Sequence, residues 1–99
     1  RILQIREVNR LAAASKMPFI IGGDFNAGEQ SEVIKTLDRS FTRTCDNCPA
    51  TFDEAGDSGA IDYLAFRPSG SFKSLSHKVL NTVHASDHFP VLALLQLDF

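Results

Sequence analysis

No run of apolar residues in this sequence is long enough to cross a bilayer, and the opening RILQIREV lacks the charged-then-apolar plan of a signal peptide. Repeats and low-complexity tracts are absent too, which removes solenoid and array architectures. Basic residues hold no majority: ten Lys and Arg stand against twelve Asp and Glu, a formal charge of −2. That excludes a broad cationic footprint for nucleic acid and leans away from extended duplex binding, while leaving a local groove open. Cysteine is scarce, with Cys45 and Cys48 forming a single C-x-x-C in TCDNCPATF. No second C-x-x-C completes a structural zinc set, and the pair lies in a polar, proline-marked loop rather than at a helix start. Such a pair reads as a loop staple or two idle thiols, not as metal or redox machinery.

What is present is modest in size. The 99 residues, 43% of them hydrophobic, suffice for one domain and not for two. The chain opens on Arg1 and enters a helical pattern at once, as either a cut fragment or a trimmed terminus would.

Within residues 2–15, Ile5, Val8, Leu11, Ala12 and Ser15 recur at helical spacing with Arg6, Glu7 and Arg10 opposite, which predicts an amphipathic helix ended by Pro18. Phe19–Ile21 reads as a short buried strand bounded by Gly22 and Gly23. Ser31 is positioned to cap a second helix over 32–39 with Val33, Ile34 and Leu37 inward. Residues 40–60 read as loop, with a short strand near Phe52. Strands are expected over Ala60–Phe66, within 73–83, and over Pro90–Leu97, the last apolar enough to be covered on both faces. The order predicts an α/β fold with a mixed sheet and flanking helices, yet too few layers to cover them.

Polar residues stand where the apolar strands end: Asp24 with Asn26, Asp62 with Tyr63, and Asp87 with His88. Singly, each has an ordinary structural use: Asp24 can cap the turn after its strand, Asn26 can take a left-handed turn, and Asp87 can make an Asx turn before His88. His77 and His84 read as surface or loop residues, and Ser-Asp and Phe-Pro around His88 argue against a helical His pair. Asp62 is the exception, because an ionised carboxylate inside a strand needs a partner, and His88 at another strand mouth is a natural one. A carboxylate on one ring nitrogen fixes the tautomer and leaves the other for chemistry. If Asp24, Asp62 and Asp87 share a pocket, a divalent cation would relieve their repulsion. Oxygen donors without thiolates suit Mg²⁺, or Mn²⁺ or Ca²⁺, better than zinc. This chemistry points to metal-assisted phosphoester hydrolysis.

Taken in order, IIGGDFNA, AIDYLAF and ASDHFPVLALL resemble the motifs of the endonuclease/exonuclease/phosphatase superfamily, the DNase I-like phosphoesterases. Ala50–Phe52 is similar to the family's short T-[FW] segment before I-D-Y. The resemblance implies the C-terminal half of a DNase I-like four-layer α/β sandwich, with residues 1–99 a partial domain whose N-terminal half is absent. That half carries an early Asn, a metal-binding Glu and a further His with no counterpart here; Gln4 and Glu7 have the wrong spacing to supply them. Carried over by position, Asp24 would activate the attacking water or touch the metal, and Asn26 would bind the scissile phosphate. Asp62 would orient His88, which would act on the phosphate as base or charge stabiliser, and Asp87 would lie at the metal. The expected partners are the missing half and a phosphoester, whether nucleic acid, phospholipid head group or inositol phosphate. The alternative is a non-catalytic relic or binding module that keeps the fold.

Overall fold

A computed structural model of the chain describes residues 1–52 and 59–98. Its elements are α1 (Ile2–Ala13), β1 (Phe19–Asp24), α2 (Glu32–Asp38), β2 (Thr42–Arg43), β3 (Asp62–Arg67), β4 (Phe72–Val79) and β5 (Val91–Leu97), with a short 3-10 turn at Ser69–Ser71. Among the described residues, no helix is long and apolar enough to cross a membrane.

Both helices follow their sequence logic with one correction. The Ser31 hydroxyl accepts from the Ile34 amide at 3.3 Å and starts α2, which buries Ile34 and Leu37 completely. In α1, Ile5 and Ala12 are buried, but Leu11 is 55% exposed rather than inward. Six residues separate it from Ile5, so at about 100° per residue it lies roughly 120° round the helix. Asn9 ties α1 to α2 by donating to the Thr36 carbonyl at 2.9 Å.

The strands form two sheets, one ordered β1-β3-β2 and one made of β4 and β5. Every described pairing is antiparallel, so the expected mixed sheet does not appear. The helix α2 does carry the chain from β1 to a strand of like sense, β2, but β3 lies between them and opposes both. Strand β1 also runs through its two glycines to Asp24, because Gly22 and Gly23 pair with Leu64 and Tyr63. A Cβ on Gly22 would meet the Leu64 side chain at 2.6 Å, so a larger residue there would require Leu64 to move.

Pleating divides the first sheet into two faces. One face carries Phe19, Ile21, Tyr63 and Ala65 against Ile5, Ile34, Leu37 and Phe41, the core of the molecule. The other carries the register pairs Ile20–Phe66, Gly22–Leu64 and Asp24–Asp62. The second sheet meets the first through the Phe66 and Phe72 rings, 5.3 Å apart, and through His77. On β5, Leu92 and Leu94 are more than half exposed, so the expected cover on both faces is not found among the described residues.

His77 is more than the surface residue expected from sequence. It is half-buried on β4, with Nδ1 2.7 Å from the Thr44 hydroxyl and Nε2 buried with no partner among the described residues. Burial lowers its pKa, because a charged ring there would lose water at Nε2, where no acceptor stands among the described residues. The unfolded chain therefore takes up the proton first as pH falls. The contribution of His77 to stability is complete above the ordinary imidazole pKa of about 6.5 and is lost on acidification below it. Urea unfolding of wild type and His77→Gln on both sides of that pH should show a steeper acid loss in wild type; equal pH dependence would contradict this account of His77.

Cys45 and Cys48 form a disulfide, the loop staple that their spacing allowed. It closes a turn in which Asn47 takes a left-handed φ of 50°, and the Cys48 amide donates to Glu29 at 2.8 Å. By loop entropy so small a ring contributes about 2 kcal/mol, so the double change Cys45→Ser, Cys48→Ser should lower the urea-unfolding free energy by that amount.

Candidate active site

Asp24 ends β1 and Asp62 begins β3, and the antiparallel register places them directly opposite each other. The Asp24 carboxylate turns the chain out of the strand: its Oδ1 accepts from the Asn26 amide at 2.7 Å, and Asn26 adopts a left-handed φ of 50°. His88 comes from the segment leading into β5 and forms an isolated bridge with Phe52, whose ring meets the imidazole edge-on at 5.0 Å. The Ser86 hydroxyl accepts from the His88 amide at 3.1 Å and shapes the turn before it.

These elements converge on one imidazole. His88 Nδ1 lies 2.8 Å from Asp62 Oδ2, and Nε2 lies 3.7 Å from Asp24 Oδ2. An ionised carboxylate only accepts, so Nδ1 carries the proton to Asp62 and Nε2 is directed to Asp24 and the open side. The His88 pKa is raised, first by the hydrogen bond to Asp62, against burial, and further by the charges of Asp62, Asp24 and Asp87. The three side chains line a hollow of about 490 Å³ with Gly23, Leu64, Phe89 and Val91 around them. One donor atom from each of Asp24, Asp62 and His88 lies within 4.8 Å of the others, a spacing that one divalent ion can bridge.

Not every residue singled out in the sequence joins this group. Asn26 lines a separate hollow of about 260 Å³ beside Gln4 and Val8, because its left-handed turn carries it past the end of the strand; only Asp24 lines both hollows. Asp87 is exposed, takes a bond from the Ser86 hydroxyl at 3.2 Å, and reaches the imidazole through its charge alone. Tyr63, next to Asp62, sends its side chain to the opposite face. There its hydroxyl bridges the carbonyls of Ala60 and Ala27, at 2.6 and 2.9 Å, and burial pushes its pKa up to about 12. Its ring is structural, holding the β1–α2 connection to β3. His84 packs edge-on to Phe89 and stands outside the group. Thr51 and Phe52, which contact the strands bearing the pair, carried no signal beyond the short T-F match.

No family model and no curated protein sequence matches the chain. Two solved structures do. A mannosyl-6-phosphatase of Bacteroides thetaiotaomicron superposes over 96% of this chain and 43% of its own, at 22% identity and a TM-score of 0.72. An endonuclease/exonuclease/phosphatase of Bacteroides vulgatus superposes over 97% of this chain and 42% of its own, at 24% identity and a TM-score of 0.73. The chain therefore has an α/β fold shared with endonuclease/exonuclease/phosphatase proteins and spans less than half the length of these two neighbours.

Proposed function

We propose that this chain carries part of the active site of a divalent-metal-dependent phosphoester hydrolase, as the C-terminal half of a four-layer DNase I-like sandwich. The observation that carries the reading is the imidazole held by Asp62 at Nδ1 while Nε2 faces Asp24 at 3.7 Å. A fixed tautomer with one nitrogen free is what a proton-transfer or charge-stabilising group needs at a phosphorus centre. The shared fold supports the class, and the exposed Ile20, Leu92 and Leu94 support a complementary half that covers them.

In this reading Asp62 fixes and charges His88, and His88 Nε2 either takes the proton of the attacking water or stabilises the phosphoryl oxygens. Asp24 orients that water, and Asn26 hydrogen-bonds the phosphate. Asp24 and Asp87 are the proposed holders of Mg²⁺, with Mn²⁺ or Ca²⁺ as substitutes, and Asp24 has the better placement because its carboxylate already borders the hollow. When bound, such an ion neutralises charge on the phosphate and the leaving oxygen. Water adds to phosphorus, the ester P–O bond breaks, and the alcohol leaves with a proton. The B. thetaiotaomicron neighbour makes a phosphomonoester one class to test, beside the nucleic-acid, lipid and inositol phosphates.

A polypeptide extended upstream of Arg1 to the neighbours' length should hydrolyse a generic phosphodiester or phosphomonoester with Mg²⁺ and lose that activity on chelation. The 99 residues alone should turn over little. Absence of hydrolysis in the extended polypeptide, or activity indifferent to chelation, would overturn the proposal.

A further inference from the structure

The Asp62–His88 pair spans two sheets: Asp62 opens β3 in the first, and His88 precedes β5 in the second. Strand pairing holds each sheet internally, so something else must set the spacing between the two side chains. Thr51 sits at that junction, 1% exposed. Its hydroxyl oxygen accepts from the Ile61 amide at 3.0 Å and from the Asp62 amide at 3.1 Å. Its carbonyl accepts from the Phe89 amide, next to His88, at 2.8 Å. The following residue, Phe52, bridges to His88 and places its ring edge-on to the imidazole at an interplanar angle of 61°.

We propose that Thr51 is a positioning residue for the Asp62–His88 pair, its side chain fixing the backbone at Asp62 while its main chain fixes the backbone beside His88. The catalytic part of this inference rests on the function proposed above. Threonine suits the place because one hydroxyl can satisfy two amides while its methyl group fills buried space. Valine has the same shape but would leave both amides without that acceptor. Catalysis is sensitive to such a change, because a displacement near 1 Å of a reacting group costs about 10²-fold in rate.

The test compares wild type, Thr51→Ser and Thr51→Val. In the 99-residue chain, amide exchange should show Ile61, Asp62 and Phe89 protected in wild type and Thr51→Ser. Thr51→Val should release Ile61 and Asp62 while the Tyr63 and Ala65 amides, inside β3, stay protected and report that the fold is kept. The His88 Nδ1 proton resonance, sharp in wild type, should broaden or vanish in Thr51→Val and persist in Thr51→Ser. In the extended polypeptide, Thr51→Val should lower kcat about 10- to 100-fold with KM little changed, and Thr51→Ser should stay within about threefold of wild type. Wild-type Ile61 and Asp62 amides that exchange like open loop would overturn the proposal even if the valine variant failed to fold. So would a folded Thr51→Val that keeps the Nδ1 resonance, or that hydrolyses normally. If the extended polypeptide hydrolyses nothing while Thr51→Val still abolishes the resonance, the proposed function falls and the positioning role stands.

Discussion

In the extended polypeptide, Asp62→Asn should lower kcat by about 10²- to 10⁴-fold, with KM changed far less. Asparagine keeps the size of the aspartate, so the strand and its register with Asp24 should persist. What it loses is the charge and the obligatory acceptor. Its amide can offer N–H to the ring and favour the tautomer that puts the proton on Nε2, the nitrogen directed to Asp24. It also removes the largest influence that raises the His88 pKa, so that pKa should move back towards the ordinary imidazole value. His88→Ala should cost at least as much, and the double variant little more than either alone, because the two act as one unit. Steady-state kinetics on the three variants decides the matter. Rates within tenfold of wild type for both single variants would show that the pair is structural.

The largest loss of stability is expected at Leu37. It is completely buried on α2 and belongs to the cluster in which Ile34, Phe41, Tyr63 and Ala65 join the helices to the first sheet. Leu37→Ala removes the buried atoms and leaves a void, a change that costs about 2–5 kcal/mol. A domain of this size has a margin near the low end of roughly 5–15 kcal/mol, so much of that margin goes with one side chain. Lys35→Ala, exposed on the same helix, should stay within about 0.5 kcal/mol of wild type. Urea unfolding of the two variants provides the comparison. A cost below about 1 kcal/mol at Leu37 would mean that the core lies elsewhere.

The elements were largely legible because their signals are local. The Ser31 cap, the period of Ile5 and Ala12, and the apolar run of Val91–Leu97 needed only neighbouring residues to be read. Asp62 with His88 is legible for another reason: a carboxylate within a strand-like pattern demands a partner and few candidates exist, although the strand itself begins only at Asp62. What escaped depended on register and on turns. The antiparallel insertion of β3 between β1 and β2 arises from pairing across about twenty residues of connection, which no local pattern announces. Spacing groups Asn26 and Asp87 with the site, yet a left-handed turn at one and an exposed bend at the other separate them from the imidazole hollow. His77 shows its burial only once β4 is laid against Thr44. Thr51 stands out in the sequence only through the short T-F match, and the place of its hydroxyl between two amides emerges only in the fold.

Asp24, Asp62 and His88, far apart in sequence, are proposed to act as one site beside which a cation and a phosphate are held. Titrating the 99-residue chain with Mn²⁺ and following paramagnetic broadening of its NMR signals tests this most directly. Broadening should centre on Asp24 and reach Asp62, Asp87 and His88 around it, and it should be reversed by excess Mg²⁺ and lost in Asp24→Asn. Broadening centred on Asp38 and Asp46, or none near His88 at millimolar ion, would contradict it.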